Sequence, residues 1–156
     1  MTIKSYLIQL KRFPNYTKFI IWVLKNGESF TSTGKLTPAE KRMLITYRCG
    51  TRVKECYYNS QLLSLNSSFQ YYEGWYLWED IPLPLEHGFN VLRGKVVDTT
   101  RFDENRKRRR SYFGVHIPTK FVAKNMRESG MAEQMLYKYY LYKNPQKIIK
   151  EENKIT

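Results

Sequence analysis

Cysteine is scarce in this chain of 156 residues: there are two, Cys49 and Cys56, too few for a disulfide framework. No apolar run is long enough to cross a membrane, and the N-terminus has no signal-peptide pattern, which predicts a cytoplasmic protein with reduced thiols. A Cys49–Cys56 disulfide stays open as the alternative. A glycine-rich phosphate loop, a dinucleotide fingerprint and metal-ligand spacing are all missing, so no cofactor and no metal are expected. There is no internal repeat. Acidic residues are also few, 14 against 27 basic ones, for a net charge of +13.

What is present is apolar and aromatic material, 42% and 15% of the residues, enough for one compact domain over 1–156 with a core of its own. The charge favours contact with polyanions or an acidic protein. It is densest at Arg106, Lys107, Arg108, Arg109 and Arg110, a block between two strand candidates that reads as an exposed basic loop over 103–111. Such a loop can dock on phosphates, with the tyrosines and Trp22, Trp75 and Trp78 as stacking surfaces. No nucleic-acid module signature accompanies it, and a solvated positive loop explains it as well. The charged tail, 146–156, is expected to fray.

Local signals divide the chain into elements. Residues 1–12 and Phe19–Leu24 are rich in β-branched and aromatic residues and read as a strand pair closed by Asn26-Gly27. Thr37-Pro38-Ala39-Glu40 is a capping box, predicting a helix from Pro38 to about Arg48, stopped by Gly50. A second helix runs from Cys56 to Leu65, and Ser67-Ser68 ends it. Phe69 to Trp78 reads as a strand, with a bulge or a close backbone approach at Glu73-Gly74. His87–Leu92 and Lys95–Asp98 form the clearest hairpin, turned by Arg93-Gly94. Ser111–Ile117 is another strand, Thr119–Glu128 a helix behind Pro118, and Ala132–Lys143 a last helix ended by Asn144-Pro145. The class is α+β, with helices flanking a central antiparallel sheet.

Three side chains stand out by order and context: Cys56 at a helix start, His87 and Asp98 on the two arms of a hairpin. A thiol needs an imidazole to become thiolate, a helix N-terminus lowers its pKa further, and a carboxylate orients the imidazole. The three therefore read as nucleophile, base and orienter. Oxyanion donors are sought in the Cys56 amide with Asn59 or Gln61. Each residue alone has a bland explanation: an inert core cysteine, a hydrogen-bonded structural histidine, a strand-end aspartate. His116 lies on a separate strand and reads as structural or as a substrate contact. Only the combination points to chemistry, and it requires a hairpin register that keeps His87 and Asp98 on one face.

The segments Glu55-Cys-Tyr-Tyr-Asn-Ser60, Tyr72-Glu-Gly-Trp75, Glu86-His-Gly-Phe-Asn-Val91, Gly94-Lys-Val-Val-Asp-Thr-Thr100 and Tyr112-Phe-Gly-Val-His-Ile-Pro118 resemble a group of small phage and bacterial proteins. Their pattern is similar to the core of the transglutaminase-like branch of the papain-like superfamily. This resemblance implies a papain/transglutaminase-like fold, with the Cys56 helix packed on a central antiparallel sheet that carries His87 and Asp98. It implies Cys56 as nucleophile, His87 as base and Asp98 as orienter, with Asn59, Glu73 and Gly74 in support. Gly88-Phe89 and Thr99 depart from the family's small-residue-tryptophan and proline positions, and neither removes a catalytic group.

Two functions follow. One is a cysteine-dependent acyl-transfer enzyme, a protease, amidase, deamidase or transglutaminase acting on a protein or another amide, which the resemblance implies is phage-encoded. The other is a non-catalytic basic protein on the same scaffold that engages nucleic acid or a host nucleoprotein, for instance to inhibit a host defence.

Overall fold

A computed structural model describes residues 1–31, 36–47, 55–79, 81–100 and 110–145. Among these residues the chain is α+β, running α1 (Ile3–Leu10), α2 (Pro14–Asn26), β1 (Glu28–Thr31), α3 (Pro38–Tyr47), α4 (Cys56–Asn66), β2 (Gln70–Trp78), β3 (Leu85–Leu92), β4 (Lys95–Val97), β5 (Arg110–Ile117), α5 (Thr119–Ser129) and α6 (Leu136–Lys143). The basic residues Arg106 to Arg109, Cys49, Gly50 and the 146–156 tail lie outside the described residues.

The expected strand pair at the N-terminus is two helices instead. Composition suggested strands, but the spacing is helical: Ile3 and Leu7 on α1 and Phe19, Ile20 and Val23 on α2 are the buried positions, one stripe on each helix. The ends carry helix signals as well. Ser5 N–H donates to Thr2 Oγ1 at 3.1 Å while Thr2 N–H donates back to Ser5 Oγ at 2.9 Å, a reciprocal cap, and Pro14 opens α2. The Thr37–Glu40 box forms as expected, with Glu40 N–H donating to Thr37 Oγ1 at 3.2 Å and Thr37 N–H to the Glu40 carboxylate at 2.7 Å. The last helix begins at Leu136, later than expected at Ala132, because Met135 N–H and Leu136 N–H donate to the buried Glu73 carboxylate, which caps the helix there.

The five strands form one antiparallel sheet in the order β1-β5-β2-β3-β4. β1, which composition did not reveal, is a short edge strand against β5. The two outer strands also touch, so the sheet curls. Tyr72, Tyr76, Phe89, Val91 and Tyr112 fill its concave face, with Phe30, Trp78 and Val96 packed against them. The convex face turns Tyr71, Trp75, Phe113, Val115 and Ile117 onto α1, α2, α5 and α6. A smaller cluster of Leu44, Leu63, Phe69, Leu92 and Val97 packs α3 and α4 beside the β3–β4 hairpin. Burying each of these large side chains is worth about 2 kcal/mol.

No bulge interrupts β2: its register with β3 runs unbroken from Gln70↔Val91 to Tyr76↔Leu85. The glycine marks the other possibility, a close backbone approach. A Cβ at Gly74 would sit 2.2 Å from Phe113 O and 2.5 Å from Gly114 Cα. The strand expected from Ser111 forms and begins one residue sooner, so Arg110, assigned to the basic loop by sequence, belongs to β5 and the loop's expected end at Ser111 falls inside the strand. Gly74→Ala should therefore destabilise the fold by about 3 kcal/mol, the upper end for ordinary single substitutions. The urea midpoint checks this, and a loss below about 1 kcal/mol would contradict the close approach.

Candidate functional site

The Arg93-Gly94 turn, with φ of 50° and 75°, sets the hairpin register to Leu92↔Lys95, Val91↔Val96 and Asn90↔Val97. One step further Asp98 faces Phe89, two residues along from His87 and on the same face of the sheet. His87 Nε2 and Asp98 Oδ2 are 2.8 Å apart, and both residues are buried. The second carboxylate oxygen, Oδ1, accepts Thr100 N–H at 3.2 Å.

Cys56 reaches this pair from the first turn of α4. β4 pairs only with Asn90 to Leu92, so among the described residues no strand lies beside His87 and Gly88 on that flank. The polar face of α4 takes that position. Ser60 Oγ donates to Gly88 O at 2.9 Å, and Asn90 Nδ2 donates to Ser60 O at 2.9 Å. The Gly88 N–H and the His87 ring both lie against the Cys56 thiol and favour its thiolate form. With Nε2 on Asp98, Nδ1 is the ring nitrogen left for the thiol. Cys56 is a free, partly exposed thiol.

The electrostatics follow from these contacts. Burial pushes the Cys56 thiol up, but the His87 hydrogen bond and charge, with Gly88 N–H, outweigh it and hold the thiol below its ordinary 9.0. Burial pushes His87 down, and the bonds to Asp98 and Cys56 outweigh that, raising it to about 9. Both shifts favour thiolate beside imidazolium. Their stability windows differ in sign. The His87 contribution is complete below its ordinary 6.5 and is lost as pH rises through about 9. The Cys56 contribution is complete above 9.0 and is lost as pH falls through its lowered value.

The other sequence candidates separate. Asn59 Nδ2 donates to Thr100 Oγ1 at 2.8 Å, tying the Asp98 loop to α4. Gln61, the alternative oxyanion donor, is committed elsewhere: its Nε2 donates to Tyr71 OH at 3.1 Å and to Glu133 O at 2.7 Å. Glu73 lies on the face opposite His87, fully buried, and accepts from Tyr71 OH at 2.7 Å besides the Met135 and Leu136 amides. Burial raises its carboxyl to about 7 against the pull of those donors. Gly74 pairs directly with His87 across the ladder. His116 packs its ring 5.3 Å from Tyr72, away from the cluster, and burial lowers its pKa. Among the described residues no group of His, Cys, Asp or Glu is arranged to hold a metal, and no helix is long and apolar enough to cross a membrane.

Two residues that the sequence reading passed over join the site. Tyr76 lays its ring 4.7 Å from the imidazole, and Tyr112 OH donates to Asp98 Oδ2 at 3.0 Å. Tyrosines on alternate strand positions read as core, and only the strand order brings these two to His87. No family model, curated protein or solved structure matches the chain.

Gly88 has little room, because a Cβ there would meet Tyr57 Cδ1 at 3.0 Å, Tyr71 OH at 3.2 Å and Tyr57 Cα at 3.3 Å. Gly88→Ala should push the start of α4 off β3 and slow neutral-pH alkylation of Cys56 about tenfold, equivalent to about 1.4 kcal/mol. Iodoacetamide kinetics in a Cys49→Ser background check it, and an unchanged rate in a folded variant would contradict the packing.

Proposed function

We propose that this protein is a cysteine-dependent acyl-transfer enzyme of papain/transglutaminase-like type, acting on amide or isopeptide bonds. The observation that carries this reading is the His87–Asp98 hydrogen bond with a partly exposed Cys56 thiol beside the imidazole, whose thiolate form His87 favours. In the first half-reaction the Cys56 thiolate attacks the carbonyl carbon, an S–C bond forms, the C–N bond breaks, and His87 gives its proton to the departing amine. In the second, His87 takes a proton from water or an amine, which attacks the thioester and releases acid or a new amide with the free thiolate. Asp98 keeps the imidazole oriented and stabilises its charged form throughout. Hydrolysis and transfer differ only in the second nucleophile.

The net charge of +13 supports a second reading, a basic binding protein for nucleic acid or an acidic host protein. It predicts a salt-sensitive complex that survives Cys56→Ala. A cytoplasmic, phage-encoded setting belongs to both readings.

The acyl-transfer reading predicts that p-nitrophenyl acetate leaves an acetyl group on Cys56, visible by mass spectrometry of the rapidly quenched protein. The adduct should vanish in Cys56→Ala, and His87→Ala should slow its formation about 10³-fold. Equal acylation of the parent and His87→Ala would contradict the proposed chemistry.

A further inference from the structure

The proposed chemistry uses Cys56, His87 and Asp98, but the hydrogen bonds do not stop at Asp98. Tyr112 is buried on β5, opposite Tyr76 of β2, and its hydroxyl donates to Asp98 Oδ2, the same oxygen that faces His87 Nε2. Behind it, two residues back on the same strand face, Arg110 brings its positive charge toward the Tyr112 hydroxyl and favours its ionised form. Arg110 also sets its guanidinium 5.6 Å from the centroid of Trp78, its partner across the β2–β5 ladder. The first described residue of the basic block is thus tied to the site through a single phenol.

We infer that Tyr112 is a positioning residue of this site, with Arg110 as its support: it holds the Asp98 carboxylate in place and shares the oxygen that His87 uses, so setting how tightly the imidazole keeps its proton. The inference rests on the acyl-transfer reading for its catalytic meaning, and on geometry alone for its effect on His87.

A hydroxyl donating to a carboxylate oxygen draws charge from it, so that oxygen holds an imidazolium less strongly than an unshared one. The Arg110 charge near the phenol oxygen makes the phenol a stronger donor, since it draws electron density from the O–H bond. Burial and the neighbouring Asp98 charge push the Tyr112 hydroxyl well above its ordinary value, so it stays protonated and acts only as a donor toward the carboxylate. With Thr100 N–H on Oδ1, Tyr112 also fixes the rotation of the carboxyl group, which a lone His87 contact leaves free. Among the described residues, the titratable and charged groups around the imidazole are Cys56 of α4, Tyr76 of β2, Asp98 beyond β4 and Tyr112 of β5, with Arg110 behind it.

The test is the NMR titration of the imidazole ring protons, read in the full chain. There are only two histidines, and His116→Gln assigns them. Tyr112→Phe keeps the ring and removes the donor. It should raise the His87 titration by about 0.5 to 1 unit, a fraction of the energy of one hydrogen bond to a charged group. Arg110→Gln should move it the same way by less, while His116 stays put in both. A His87 curve in folded Tyr112→Phe that superimposes on the parent, or moves down, overturns the inference. If Tyr112→Phe does not fold, an unmoved curve in Arg110→Gln overturns it instead. A parent Cys56 with an ordinary thiol titration would defeat the acyl-transfer reading, yet the His87 shift would still be read on the ring itself.

Discussion

The arrangement depends on one polar seam, between the inward face of α4 and the uncovered flank of β3. A helix that buries Asn59, Ser60, Gln61 and Ser64 gains little from apolar burial on that side. What holds it is pairing: Ser60 with Gly88 and Asn90, Gln61 with Tyr71 and the Glu133 carbonyl, Asn59 with Thr100. Each bond contributes about 1 kcal/mol net, but orphaning any one of these buried groups costs about 1 to 3 kcal/mol, so the helix has one acceptable rotation and height. That rotation puts the Cys56 sulfur on Gly88 N–H and beside the His87 ring. The early end of β4 is equally necessary, because a longer strand would take the Gly88 amide into its own ladder.

The opposite face of the sheet bears on the site from behind. Glu73 anchors the start of α6 through two backbone amides, and the segment just before it supplies the Glu133 carbonyl to Gln61 and a hydrogen bond from Gln134 to Glu86, next to His87. A carboxylate with no exposure is costly to ionise, and its three donors, one phenol and two backbone amides, offset part of that cost. The site is therefore framed by polar contacts on both faces of β3, and the aromatic filling of the curled sheet keeps the imidazole and its carboxylate away from water.

Much of this was legible in the sequence wherever signals are local. The hairpin about Arg93-Gly94, the Thr37 capping box, the Cys56 helix and the β5–α5 junction at Pro118 each depend on a few adjacent residues, and each forms as expected. The N-terminal helices were missed because β-branched and aromatic composition outweighed a helical spacing and the Thr2 cap. β1 was missed because four residues at a sheet edge carry almost no pattern, and α6 begins late because a carboxylate more than sixty positions away in the chain stops it sooner. Within the site, Cys56, His87 and Asp98 were visible as chemistry-bearing residues. The committed amide of Gln61 and the Tyr112 contact depend on strand order, which no local signal carries.

The central claim is that Cys56 and His87 form a thiolate–imidazolium pair. It is tested most directly by the pH dependence of Cys56 alkylation in a Cys49→Ser background, in the parent and in His87→Ala. The account predicts a parent thiolate that persists below the ordinary cysteine value, and a His87→Ala thiol that titrates above it, because burial then outweighs the remaining Gly88 N–H. The same ordinary titration in both proteins would contradict it.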